Sequence, residues 1–358
     1  MKVFAGAEHI ISPLGTDAET CYENIISGKT GVAKRLVGTQ KFSLAQINRQ
    51  ELEFKGVKSF WRFLLSKSVE ASLSKLNDIK HDLVYVVSSA KGEIHHLHRG
   101  IFGFGISHSA KAAIGKEERI YCVSNACVSG LLALNMGYDL IQSGKADTVV
   151  VSGIDLISDF VVSGFNSLFA LDPEQCKPFD KNRKGLNLGE AVGTIVLSKD
   201  STIFKEEPIE FLGGFSNNDA NHISGPSRTG EGLKKAVTRT LKHADVVPDF
   251  INAHGTGTDY NDGMEAEAFS ALGLAEVPLN SLKSVFGHTL GAAGIIETII
   301  SIQGLRNGTM PGTFGLKSLG TNKTVNAISG HHEGEVNSFL KTCSGFGGGN
   351  AAVIFRKI

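Results

Sequence analysis

Cys127 stands in VSNACVSG, where an apolar run ends among small residues and passes directly into the helical pattern of LLALNMGYDLI. A thiol so placed is suited to nucleophilic chemistry. The first N–H groups of a helix starting near Val128 are unpaired, and the positive end of its dipole favours the reactive thiolate. Free cysteine is also common packing material, so the assignment needs partners for the sulfur. Two stretches provide them. His254 lies in NAHGTGTDYND, at the end of an apolar strand and before a Gly-Thr-Gly turn, and His288 lies in SLKSVFGHTLGAAG, shortly after Lys283. A lone histidine is commonly structural, but strand ends followed by tight turns are where α/β folds assemble their sites. Together with Cys127 the two imidazoles form a set suited to covalent acyl transfer.

The elements that must carry these residues are visible as alternating patterns. DLVYVVSSA, RIYCVSNA, DTVVVSGID and GTIVLSKD read as buried strands, and SVEASLSKL and SGLLALNMGYDLIQSG as helices. A second round begins near Pro208, with IEFLGGFS, FINAHGTG, VPLNSLKS and NAAVIFRKI as strands and GEGLKKAVTRTLKHA and GAAGIIETIISIQGLRNG as helices. In the first round a strand delivers Cys127, and the following helix closes at Gly144. In the second a strand delivers Lys283 and His288, and the helix closes at Gly308. The expectation is a layered, internally duplicated α/β fold, with residues 1–207 carrying the nucleophile and 208–358 the histidines in one compact unit.

Composition narrows the function classes. The chain has 358 residues, 41% hydrophobic and 20% charged, as soluble globular proteins do. Lys plus Arg (36) balances Asp plus Glu (36), so no global field draws it to nucleic acid or an anionic membrane, and an acidic partner must meet a local patch. MKVFAGAEHIISPLG lacks a long apolar core, and no run approaches the ~18 apolar residues of a membrane span. A cytoplasmic location is expected. Five cysteines without a C-x-x-C pair argue against a disulfide framework and a structural zinc site. His95, His96 and His98 in EIHHLHRG lack the carboxylate or cysteine partners of a metal site and read as a solvated loop. In FKGVKSFWRFLLSKS, Lys55, Lys58, Arg62 and Lys67 stand among apolar residues, and Lys58 and Arg62 share a face if the segment is helical. A solvated helix face and a docking patch fit that pattern equally.

SPLG, ISGKTGV, NACVSG, KPFDKNRKGLNLGEAVGTIVL, NDANHISGPSRTGEG, NAHGTGT, LKSVFGHTLGAAG and GFGGGNAAVIF succeed one another over nearly the whole chain. In these motifs the sequence resembles the β-ketoacyl synthases of the elongating type, which condense acyl and malonyl groups on acyl carrier protein. The resemblance implies a thiolase fold in α/β/α/β/α layers, a homodimer or a heterodimer with a related subunit, and a Cys-His-His site with no cofactor and no metal. It implies that Cys127 accepts the acyl group and that His254 and His288 serve malonyl decarboxylation. The backbone N–H groups of Cys127 and Phe346 would form the oxyanion hole, with Phe165 and Phe346 as gates. Lys283 would pair with Glu297 to hold His288, and Lys55, Lys58 and Arg62 would meet the carrier protein near the pocket mouth.

The resemblance leaves fatty acid, polyketide and aryl-polyene pathways open. It has departures: Arg183-Lys184-Gly185-Leu186-Asn187 replaces RDGFV, and Thr342-Cys343-Ser344-Gly345-Phe346 replaces the start of NSFGFGG. The stretch from Ser89 to Cys127, which bears on the dimer contact and acyl pocket, is shortened. Two other readings stand beside it. One is a thiolase-type acyltransferase with Cys343 as second cysteine, against which HGTGT and the lysine before Gly-His count. The other is a chain-length-determining partner subunit, which usually lacks the nucleophile kept here.

Overall fold

The computed structural model describes residues 1–52, 54, 59–77, 83–94, 105–219 and 227–358. Lys55, Lys58, His95, His96 and His98 lie outside the described residues. Ten strands share one mixed sheet, in the spatial order Leu279–Asn280, Phe250–Asn252, Ser338–Gly345, Gly349–Arg356, Ile209–Asn218, Phe4–Ile11, Ala191–Ser198, Thr148–Asp155, Leu83–Ser88 and Ile120–Val123. The two halves of the sheet meet at a narrow seam in its middle. Phe4–Ile11 meets Ile209–Asn218 only through Phe4 with Glu210 and Ala5 with Ile209.

On each side of the seam the topology is the same. The first strand of each half pairs antiparallel with the last, the last antiparallel with the fourth, the fourth parallel with the second, and the second parallel with the third. Internal duplication is therefore written in the strand order itself, and the layered α/β expectation holds.

Period-2 alternation sets the layers. Val84, Val86, Val149 and Val151 face a central core shared with Phe339, Val353 and Phe355 of the other half, and the helices Ser129–Gln142 and Ala293–Asn307 run through it. The intervening Tyr85, Val87 and Val150 face an outer core built on Trp61, Leu64 and Leu65 of helix Phe60–Leu73. On the other half, Ile251, Leu340 and Ile354 face Leu233 and Val237 of Glu231–Ala244 and Phe269 of Asp259–Ala271. The central helices touch where each carries a glycine. A Cβ on Gly130 would lie 3.1 Å from Gly291 O, and one on Gly294 would lie 2.9 Å from Leu131 N. Only glycine lets the two backbones approach that closely.

Several elements differ from the sequence expectation. Lys283 does not ride on a strand: the strand ends at Asn280, and Lys283 opens the one-turn helix Lys283–Phe286. Ile120–Val123 forms the outer edge of the sheet with Tyr121 and Cys122 exposed, because only one strand flanks it. Ser338–Gly345 and Phe4–Ile11 escaped the apolar-run criterion because they carry buried charged or polar side chains, Lys341 in one and Glu8 and His9 in the other. Among the described residues no helix is long and apolar enough to cross a membrane.

Candidate active site

Three chain segments converge on one pocket, and each is held by backbone hydrogen bonds. Between strand Ile120–Val123 and helix Ser129–Gln142 the chain turns sharply, with Ala126 at φ 43°. The Asn125 N–H donates to Ser129 Oγ at 2.8 Å, and the Ser129 hydroxyl donates to Ala126 O at 2.6 Å. That clasp fixes Cys127 just ahead of the helix. His254 follows strand Phe250–Asn252, and its N–H and that of Gly255 donate to the two oxygens of buried Glu265 at 2.7 and 2.6 Å. His288 is anchored by its own backbone: its N–H donates to Asn187 O at 2.6 Å, and its carbonyl accepts from Gly189 N at 3.0 Å. Gly287, at φ 66°, permits this because a Cβ there would lie 2.7 Å from the Leu188 backbone.

The side chains meet. His288 Nε2 lies 2.9 Å from Cys127 Sγ, and the His254 and His288 rings stand nearly perpendicular, 82° apart, with centroids separated by 5.2 Å. One ligating atom from each of the three residues falls within 4.8 Å of the others. Above them opens a pocket of about 390 Å³, lined among others by Phe165, Arg183, Thr256, Thr258 and Phe346.

Burial sets the charge states. It pushes the Cys127 thiol up from 9.0 to about 12, with Lys283 pulling the other way. Burial therefore favours the thiol over the thiolate, against the pull of Lys283 and of the helix N-terminus. Burial first, then Lys283, holds both histidines well below 6.5, so both rings are neutral and each carries one N–H.

Behind the rings lies a buried charge cluster. Lys283 Nζ is 2.7 Å from Glu297 Oε1, and neither side chain reaches solvent appreciably. Burial is the largest influence and works against the Lys283 charge, but Glu297, Cys343 and Glu265 together keep the ammonium above its usual range. Lys283 acts on His288 through its field, while the His288 backbone is held by Asn187 and Gly189. Two participants were not read from the sequence. Lys341 lies 2.6 Å from Glu297 Oε2, and Glu265 holds the His254 backbone. A lysine inside the strand pattern SFLKTCSG was the available signal for the first; nothing local marked the second.

The Phe346 loop closes over the nucleophile. Phe346 stacks on Phe165 at 5.6 Å and 18° between planes, half-open to solvent, and Gly347 and Gly348 follow at φ 83° and 78°. A Cβ on Gly345 would come 3.1 Å from Cys127 N. Gly345→Ala should therefore push the loop off the Cys127 backbone and raise the rate at which iodoacetamide alkylates Cys127; an unchanged rate would show that the loop position is immaterial.

Arg62 is paired within the chain. Its Nε lies 2.7 Å from Oε1 of buried Glu93, so its first task is to neutralise that carboxylate.

Sequence profiles described as "Beta-ketoacyl synthase, N-terminal domain" and "Beta-ketoacyl synthase, C-terminal domain" match residues 113–202 and 210–317, together more than half of the chain. The chloroplastic 3-oxoacyl-[acyl-carrier-protein] synthase I of Hordeum vulgare is 33% identical over 66% of this chain and 54% of its own length. The tetracenomycin polyketide synthase ketoacyl synthase alpha subunit of Streptomyces glaucescens is 33% identical over 68% of this chain and 61% of its own. The matched chain thus spans between half and two thirds of these relatives. Among solved structures, the ishigamide ketosynthase/chain length factor superposes with a TM-score of 0.86 at 22% identity, over 100% of this chain and 99% of that one. The ketosynthase ApeO in complex with its chain length factor ApeC, from Xenorhabdus doucetiae, gives 0.85 at 23% identity, over 100% and 98%.

Proposed function

Because the chain belongs to the β-ketoacyl synthase family, we propose that it catalyses the decarboxylative Claisen condensation of an acyl group with a malonyl thioester, both delivered on acyl carrier protein. The observation that carries this reading is the 2.9 Å contact of Cys127 Sγ with neutral His288, with a second neutral imidazole, His254, facing the same pocket.

The steps follow from those groups. Cys127 passes its proton to His288 Nε2 as sulfur attacks the acyl thioester, and that proton leaves on the departing carrier thiol. Proton transfer at the moment of attack suits a buried thiol, since no free thiolate has to be maintained. Malonyl thioester then loses carbon dioxide, and the electron pair of the broken C–C bond forms an enolate. Its oxygen is met by an N–H of His254 and by one of His288, whose single ring proton shifts from Nδ1 to Nε2 once the thiol proton has left. The enolate carbon attacks the acyl carbonyl, and the tetrahedral oxygen is held by the N–H groups of Cys127 and Phe346. Collapse releases the β-ketoacyl thioester and the Cys127 thiolate, which regains one proton from solvent.

The same proposal covers the whole assembly. Residues 1–207 and 208–358 act as one unit, the first giving the nucleophile and the second the histidines. The protein works in the cytoplasm as a dimer, with a second copy or a related subunit. The one-sided strand Ile120–Val123, with Tyr121 and Cys122 exposed, is an edge to which such a partner fits. Intact-mass measurement after incubation with a panel of acyl-carrier-protein thioesters should show an acyl group on Cys127, converted to carrier-bound β-ketoacyl product when malonyl-carrier protein is added. Acylation without condensation would leave an acyltransferase; no acylation of Cys127 by any member would overturn the reading.

A further inference from the structure

Strand Ser338–Gly345 carries a lysine at a position facing the central helices. Lys341 has no solvent exposure, and the parallel register sets it beside Asn252, at the end of the strand that feeds His254. Its ammonium lies 2.6 Å from Glu297 Oε2 and donates to the carbonyls of Ala253 at 3.1 Å and Asn252 at 3.4 Å. Oxygens from the His254 approach and from the central helix thus surround one cation. Lys283 already occupies the other oxygen of Glu297 at 2.7 Å. One carboxylate between two ammonium groups leaves an excess of positive charge directly behind the rings.

We propose that Lys341 is a positioning residue, an internal cation that ties the backbone leading into His254 to helix Ala293–Asn307 and places fixed positive charge behind the histidine pair. The proposal rests on the condensation reading, because it is the enolate of the decarboxylation step that needs two uncharged N–H donors. The charged and titratable groups facing the rings are Lys283 from the one-turn helix, Glu297 from the central helix, Glu265 from helix Asp259–Ala271, Lys341 and Cys343 from the strand, and Cys127. Glu265, whose carboxylate accepts from the His254 and Gly255 N–H groups, is the acidic group on the other side of His254. A proton added to either ring would sit against the surplus ammonium. Without Lys341 that opposition weakens, and the rings charge at higher pH.

The test is malonyl-thioester decarboxylation by Lys341→Met, which comes within one heavy atom of the side-chain length and removes the charge. We expect kcat to fall on the order of tenfold, KM to stay within about twofold, and the acidic limb of the rate profile to move up by about one pH unit. Lys341→Ala opens an oxygen-lined space, and ammonium chloride should restore part of its rate where tetramethylammonium chloride at equal ionic strength does not. An unmoved acidic limb, whether or not the rate and melting temperature fall, would reduce Lys341 to packing and overturn the proposal. If neither variant folds, Lys341→Gln is read in the same way: an acidic limb moved up supports the proposal, and an unmoved limb overturns it. A wild-type protein that never decarboxylates malonyl thioester would sink the condensation reading alone, since ring titration in Lys341→Met still reads the field.

Discussion

Cys127→Ala should lose acyl loading and condensation by on the order of 10⁴-fold or more, while malonyl decarboxylation persists. The asymmetry comes from the geometry. In the proposed reaction sulfur is the atom that bonds to the acyl group. Cys343, on strand Ser338–Gly345, is buried and, like Cys127, is pushed upward by burial. The histidines keep their anchors in the variant, because His288 is held through Asn187 and Gly189 and His254 through Glu265. The two donors for the enolate oxygen therefore survive. Carbon dioxide release from malonyl-carrier protein, measured beside acyl-enzyme formation, separates the steps. Loss of both together would mean that the sulfur supports the pocket rather than the chemistry, and full condensation by the variant would remove the nucleophile assignment.

The parts of this site visible in the sequence are those announced by local context. Cys127, His254 and His288 each follow an apolar strand and precede a turn of small residues, and such turns are needed wherever backbone passes close to a reacting group. The duplicated strand pattern was visible for the same reason, since buried strands are short apolar runs. What local context does not carry is the environment contributed by distant segments. The charge state of Cys127 depends on enclosure by both halves, so a helix N-terminus read in isolation pointed toward thiolate while the folded pocket holds a thiol. Glu265 reaches back from a helix to the His254 backbone, and Lys341 enters from a strand whose polar residues hid it from an apolar-run criterion. Arg62 looked like a free basic group because its partner Glu93 is remote in sequence. Ile120–Val123 looked interior because its residues are apolar, whereas being at an edge is a property of the sheet and not of the strand.

Replacing either histidine by alanine should slow malonyl decarboxylation by on the order of 10²–10³-fold, the usual cost of one oxyanion donor, but the two variants should part company in acyl loading. His288 Nε2 is the atom 2.9 Å from Cys127 Sγ, so His288→Ala also removes the proton acceptor for the buried thiol and should slow acylation strongly. His254 makes no hydrogen bond to the sulfur among the described residues, and His254→Ala should acylate at close to the normal rate. The pH dependence carries a sign of its own. Burial and Lys283 hold both rings well below 6.5, so the neutral, donating form is complete above that value and is lost only as pH falls through the lowered folded values. Decarboxylation should accordingly stay flat through pH 6.5 and decline only in more acidic solution. Stability runs the same way: below about 6.5 the unfolded chain takes up protons that the folded rings refuse, so the unfolding free energy falls with pH in that window. His9, buried and lowered to about 4, adds to the same trend. A decarboxylation profile with its acidic limb centred near 6.5 would show at least one ring to be solvent-like, and unchanged decarboxylation in both alanine variants would take the enolate away from the histidines altogether.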